Sequence, residues 1–130
     1  NWLRWAESNL NIKALRYVNN LQPTAELRPQ DQTQTDEKDL MPYPILDKIE
    51  KCAIRDYKSP VEVFETLRGI VSDELLKTYI RKFFRLWSIN QWKRERYAPS
   101  FHLDDENLDP KTWCRFPILN GGFRQELEEL

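Results

Sequence analysis

The sequence predicts an all-α fold. Three observations carry that expectation: an apolar stripe at helical spacing from Ser72 to Gln91, a capping signature at Ser59-Pro60-Val61-Glu62, and too few alternating β-branched runs to build a sheet. Residues 1–20 place Trp2, Trp5, Ala6 and Leu10 on one face, then Ala14, Leu15 and Val18 on a continuing one. Punctuation by Asn9, Asn11, Asn19 and Asn20 fits one bent helix or two short ones, and the Trp pair reads as core. The opening Asn1-Trp2-Leu3 is already in helical pattern with no initiator Met. That predicts a piece of a longer protein, with apolar surface exposed where the remainder docks.

From Leu21 to Thr35 the periodicity stops, and two prolines and four glutamines replace large apolar groups. A loop of that length in a compact domain is expected to be a functional lid or a surface linker. Its polar groups, with those just after it, are Thr24, Glu26, Arg28, Gln34, Asp36 and Glu37. Asp36 to Leu40 reads as a short turn. Pro44 suits the first turn of a helix running through Ile45, Leu46, Ile49, Cys52, Ala53 and Ile54. The next helix opens at the capping box, passes Val61, Phe64 and Leu67, and ends near Gly69.

The main helix follows, over residues 73–92. Leu76, Tyr79, Ile80, Phe83, Trp87 and Asn90 share one face, with Leu75 and Leu86 at its margins. Ser72 is placed as the N-cap, and Asp73 and Glu74 suit the positive end of the dipole. Beyond Ser100 the chain becomes irregular. Asp109-Pro110 can cap a turn reaching Trp113-Cys114, Gly121-Gly122 bends the chain, and Phe123 to Leu130 forms a short amphipathic helix.

Composition narrows the function classes. A net charge of −1 is less basic than a polyanion binder usually carries, although basic residues at 81–96 are followed by Asp104, Asp105, Glu106 and Asp109. Cys52 and Cys114 have no metal-site spacing and His102 is the one histidine, which argues against zinc and a disulfide scaffold and for a reducing, cytoplasmic setting. Cys52 lies on the apolar stripe, as an inert buried thiol would. His102 with Asp104 and Asp105 reads as surface rather than as a metal site. No apolar run approaches the ~20 residues that span a bilayer, and no signal peptide is visible.

Chemistry concentrates where the main helix ends. Lys93, Arg94 and Arg96 sit with Trp92 and Tyr97 around Glu95. Such a segment fits a solvated basic helix end, and it equally fits an anion site, in which a lysine and an arginine beside flat aromatic surfaces take a phosphate or carboxylate. Stacking on single-stranded nucleic acid is a further reading.

The PTAELRP run at 23–29, QTDEKDL at 34–40, the helix after it, and FFRLWSINQWKRERYAPSFH at 83–102 resemble, in order and spacing, the C-terminal part of NAD synthetase, nearest the bacterial glutamine-dependent form. The resemblance covers nearly all of the chain. It implies a helical C-terminal part of an α/β adenine-nucleotide-hydrolase-like (N-type ATP pyrophosphatase) synthetase domain, with residues 1–130 as one fragment. The family activates the carboxylate of nicotinic acid adenine dinucleotide with ATP and Mg²⁺, then amidates it with ammonia delivered from glutamine. By this resemblance Thr24 lies near the ATP phosphates and metal, and Lys93, with Arg94 beside it, contacts the dinucleotide. Glu26, Arg28, Gln34, Asp36 and Glu37 belong to a mobile loop, 21–40, that covers the substrates.

The family's Ser-Gly-Gly-x-Asp-Ser pyrophosphate loop, its parallel sheet, its principal metal-binding acid and its glutaminase Cys-Glu-Lys set are absent from these residues. Trp92 stands where ammonia-dependent relatives have a histidine before the late lysine. The resemblance therefore implies no catalytic residue and no complete metal site here, no cofactor held by the fragment alone, and a homo-oligomeric parent that completes the site without nucleic acid or membrane. The alternative reading is a stand-alone helical interaction module whose basic, aromatic 92–97 segment is a partner surface.

Overall fold

The structure is a computed structural model, and it describes residues 2–21, 35–96, 98 and 107–130. Every regular element among the described residues is helical. The chain divides into two units, Asn1–Met41 and Pro42–Leu130.

In the first unit, α1 (Trp2–Asn9) and α2 (Leu15–Asn19) are two short helices packed on each other. The break between them has a local cause. Leu10 N–H still donates to the Ala6 carbonyl at 2.9 Å, but Asn11 then takes a left-handed φ of 50°, which asparagine tolerates better than most residues. Ala6 is fully buried, and Asn19 Nδ2 donates to Glu7 Oε2 at 2.6 Å across the pair. The tryptophans are not core: their ring centroids lie 6.3 Å apart, with Trp2 66% and Trp5 53% exposed. Helical periodicity marks an apolar face without saying what covers it. α3 (Asp36–Asp39) is a single turn capped by Thr35, whose Oγ1 accepts the Lys38 N–H at 3.3 Å.

The second unit opens with α4 (Tyr43–Glu50), with Pro44 in its first turn. The expected helix continues through Cys52 and Ile54, but as a π-helical turn over Lys51–Arg55, closed by Asp56 N–H donating to the Lys51 carbonyl at 3.0 Å. α5 (Pro60–Leu67) begins at the predicted capping box: Ser59 N–H donates to Glu62 Oε2 at 2.8 Å, and Glu62 N–H to Ser59 Oγ at 3.4 Å. Gly69, at φ 89°, turns the chain out of it.

α6 (Asp73–Ile89) is the long element, and it packs against α5 and α4. Ser72 occupies its N-cap without a side-chain capping bond. Leu76, Ile80 and Phe83 are buried as the stripe predicts, and so is Phe84, one residue off it. Phe84 meets Phe123, its centroid 4.7 Å away and edge-on, so α6 is covered on a broader face than its periodicity alone marks out. Ile49, Val63 and Leu67 complete this side of the core, and each such burial contributes about 1.5–3 kcal/mol. Asp109 starts a turn, its carbonyl accepting the Trp113 N–H at 3.1 Å and its side chain the Lys111 N–H at 2.8 Å. α7 (Arg124–Glu129) closes the unit beside α5.

Candidate functional site

The end of α6 builds the site. Asn90 N–H and Nδ2 both donate to the Leu86 carbonyl, at 3.1 and 2.9 Å, and Gln91 Nε2 donates to the Trp87 carbonyl at 2.7 Å. With those last carbonyls satisfied by side chains, the backbone tightens into a 3₁₀ segment over Gln91–Arg96. In such a segment successive side chains fan out at wide angles. Lys93 and Arg94, adjacent in sequence, therefore end in different surroundings.

Arg94 turns inward and is 7% exposed. Its Nε donates to the Leu108 carbonyl at 2.9 Å, Nη1 to Gln91 Oε1 and Nη2 to the Cys114 carbonyl, while the guanidinium sits 5.2 Å from the Trp87 ring centroid. A planar fork of fixed donors is suited to holding several carbonyls at once, which an ammonium could not do in the same geometry. Arg94 thus joins the end of α6 to the segment at 107–114. The basic helix end is neither simply solvated nor simply a pair of ligand-facing cations.

Lys93 turns outward. It lies on the surface beside the half-exposed Trp92, whose ring has Lys93 Nζ at 5.9 Å and the Arg96 guanidinium at 5.3 Å. A recess of about 260 Å³ adjoins it, walled by Phe83, Leu86 and Trp87 and edged by Asn90 and Lys93. Gln91, Arg94 and Leu108 line it too, so chemically this is an apolar wall with the exposed Lys93 at its lip and the already hydrogen-bonded Arg94 beside it. It suits the flat, partly apolar end of a molecule that also carries negative charge.

Of the other sequence-predicted residues, some belong to the first unit and the rest lie outside the described residues. Asp36 and Glu37 are on α3 in the first unit, in a first turn where the helix dipole favours acids. Thr24, Glu26, Arg28 and Gln34, and likewise Tyr97, His102, Asp104 and Asp105, lie outside the described residues. Among the described residues no three His, Cys, Asp or Glu side chains are grouped to hold a metal ion. Cys52 and Cys114 are both free and buried. Sequence reasoning missed Gln91 and Trp87 as the supports of Arg94; the three-residue step from Gln91 to Arg94 was the available signal. Elsewhere in the unit, burial raises the Glu50 carboxyl above its usual range and Asp47 adds to the shift.

No protein-family model matches the chain. Curated relatives do. It is 36% identical over 104 residues to the glutamine-dependent NAD(+) synthetase of Aquifex aeolicus, covering 78% of this chain and 16% of that protein. It is 31% identical over 116 residues to the Arabidopsis thaliana enzyme of the same name, covering 79% of this chain and 15% of that one. Among solved structures, a glutamine-dependent NAD(+) synthetase from Cytophaga hutchinsonii superposes with a TM-score of 0.78 at 48% identity, over 98% of this chain and 19% of that one. The chain thus spans less than a fifth of the length of each of these relatives.

Proposed function

We infer that this chain, homologous over nearly all of its length to a stretch of the glutamine-dependent NAD synthetases, works as a segment of such an enzyme. The parent reaction adenylates nicotinic acid adenine dinucleotide with ATP, releases pyrophosphate, and lets ammonia from glutamine displace AMP to give NAD. A carboxylate is a poor electrophile and AMP a good leaving group. The protein's work is therefore to position the two substrates, neutralise phosphate charge with Mg²⁺ and keep water from the acyl-adenylate.

Within that scheme this chain contributes binding and positioning. Lys93 takes the dinucleotide, with its ammonium on a phosphate or carboxylate and the apolar recess beside it. Arg94 holds the 3₁₀ segment that presents Lys93, a role its buried donors favour over direct ligand contact. Thr24 serves near the ATP phosphates. Residues 21–40, with Glu26, Arg28, Gln34, Asp36 and Glu37, close over the bound substrates. The pyrophosphate loop, the parallel sheet of the α/β domain, the main Mg²⁺ ligands and the glutaminase come from the rest of a cytoplasmic, oligomeric parent. No helix among the described residues is long and apolar enough to cross a membrane.

The observation that carries this reading is the 48% identity maintained across 98% of the chain, with Lys93 exposed at a rigidly supported helix end. The test is Lys93→Ala in the full-length protein. Loss of one charge-assisted contact, about 1.5–3 kcal/mol, should weaken dinucleotide binding about tenfold or more and leave uncoupled glutamine hydrolysis unchanged. Unaltered dinucleotide affinity would remove Lys93 from the substrate site.

A further inference from the structure

The second unit also has a cavity of about 460 Å³, within the size range of small-molecule sites. Its floor is aromatic. Trp87 meets Phe116 at 5.6 Å between centroids, and Phe116 lies nearly parallel to Phe123 at 5.9 Å. Tyr57 and Trp113 line it as well, their rings 5.9 Å apart. Lys58 and Arg115 bring two cations to its lining and Glu62 one acid.

Tyr57 is the telling residue. It follows the π-helical turn at a φ of 54°, and the next N–H, that of Lys58, donates back to the Cys52 carbonyl at 3.0 Å. This is the left-handed helix-ending position where glycine is preferred and a bulky side chain is strained. The strain is not offset by burial, because Tyr57 is 71% exposed. A strained, exposed aromatic side chain beside an aromatic cavity is an outlier that folding alone does not call for. The charges then select among aromatic ligands. Arg115 is exposed, and Lys58 Nζ donates to Thr66 Oγ1 at 2.9 Å with two further N–H groups to give. The Glu62 carboxylate is fixed in the α5 capping box, so the net charge of these three groups is +1.

We propose that this cavity binds a planar aromatic molecule bearing a single negative charge, its ring set among Tyr57, Trp113 and the Trp87–Phe116 floor and its anionic group on Lys58 and Arg115. The site is distinct from the Lys93 recess, although Trp87 walls both.

The test uses the full-length protein and calorimetric titration with 2-naphthoate, with 2-naphthylmethanol and 2-naphthylmethylammonium as neutral and cationic counterparts. Saturable binding of the carboxylate is expected, stronger than that of the alcohol, with the ammonium weakest. Tyr57→Gly and Arg115→Ala should each weaken it about tenfold, and Lys93→Ala should leave it unchanged. Tyr57→Gly relieves the backbone strain, so its melting temperature should hold or rise, separating lost binding from unfolding. Absence of saturable binding, binding indifferent to Tyr57→Gly and Arg115→Ala, or preference for the ammonium would each overturn the proposal. Because the Lys93 experiment reads dinucleotide affinity, either inference can fail without the other.

Discussion

Arg94 and Lys93 show how far neighbouring residues of like charge can diverge. Arg94 donates to two backbone carbonyls and one amide oxygen inside the fold, so Arg94→Ala strands buried acceptors. We expect a loss of about 2–4 kcal/mol by urea denaturation, against less than about 0.5 kcal/mol for Lys93→Ala. Equal effects would contradict the division between strut and surface cation. Glu50 gives a second prediction at this scale. Burial raises its carboxyl pKa, so the folded chain binds that proton more tightly than the unfolded one. Stability from this group is full below the ordinary carboxylate range and falls as pH rises through the elevated value. Glu50→Gln should therefore melt higher than the parent at pH 7, with the gap closing near pH 4. Glu62 has the opposite sign: the Ser59 backbone and side-chain hydrogen bonds lower its pKa, so its contribution is present at neutral pH and disappears on acidification below its usual range.

At the scale of elements, the start of α5 could be read from four letters because every interaction in a capping box is local. Ser59→Ala should cost about 1 kcal/mol, seen as a lower denaturation midpoint at unchanged slope. The stripe of α6 was legible for the same reason, since Leu76, Ile80 and Phe83 depend only on helical repeat. Phe84 was not, because its burial needs Phe123 from a segment 39 residues away. The Arg94 clasp was hidden more deeply. Two of its acceptors are backbone carbonyls, 14 and 20 residues farther along, and a carbonyl leaves no mark in a sequence. Lys93 was singled out by family likeness as a proposed substrate contact, whereas the inward turn of Arg94 depends on a 3₁₀ backbone that periodicity does not reveal.

For the whole molecule, the exposed side chains of the first unit are as informative as the core of the second. Trp2, Trp5, Tyr17 and Leu21 are each more than half exposed, an arrangement that favours burial against another surface. The 130-residue chain by itself should associate with rising concentration in sedimentation velocity, and Trp2→Glu with Tyr17→Glu should reduce that association. A strictly monomeric chain up to high concentration would count against the face as a docking surface. The π-helical turn at Lys51–Arg55 has a different kind of consequence, for how this chain is aligned with others. A π turn is what one inserted residue does to an α-helix: the extra length is absorbed as a bulge, and the regular helix before it keeps its register. A relative one residue shorter in this region should carry its deletion inside positions 51–55, with α4 and α5 superposable on either side. An alignment that puts the gap instead at Asp56–Lys58 would mispair Tyr57, the position on which the aromatic cavity depends.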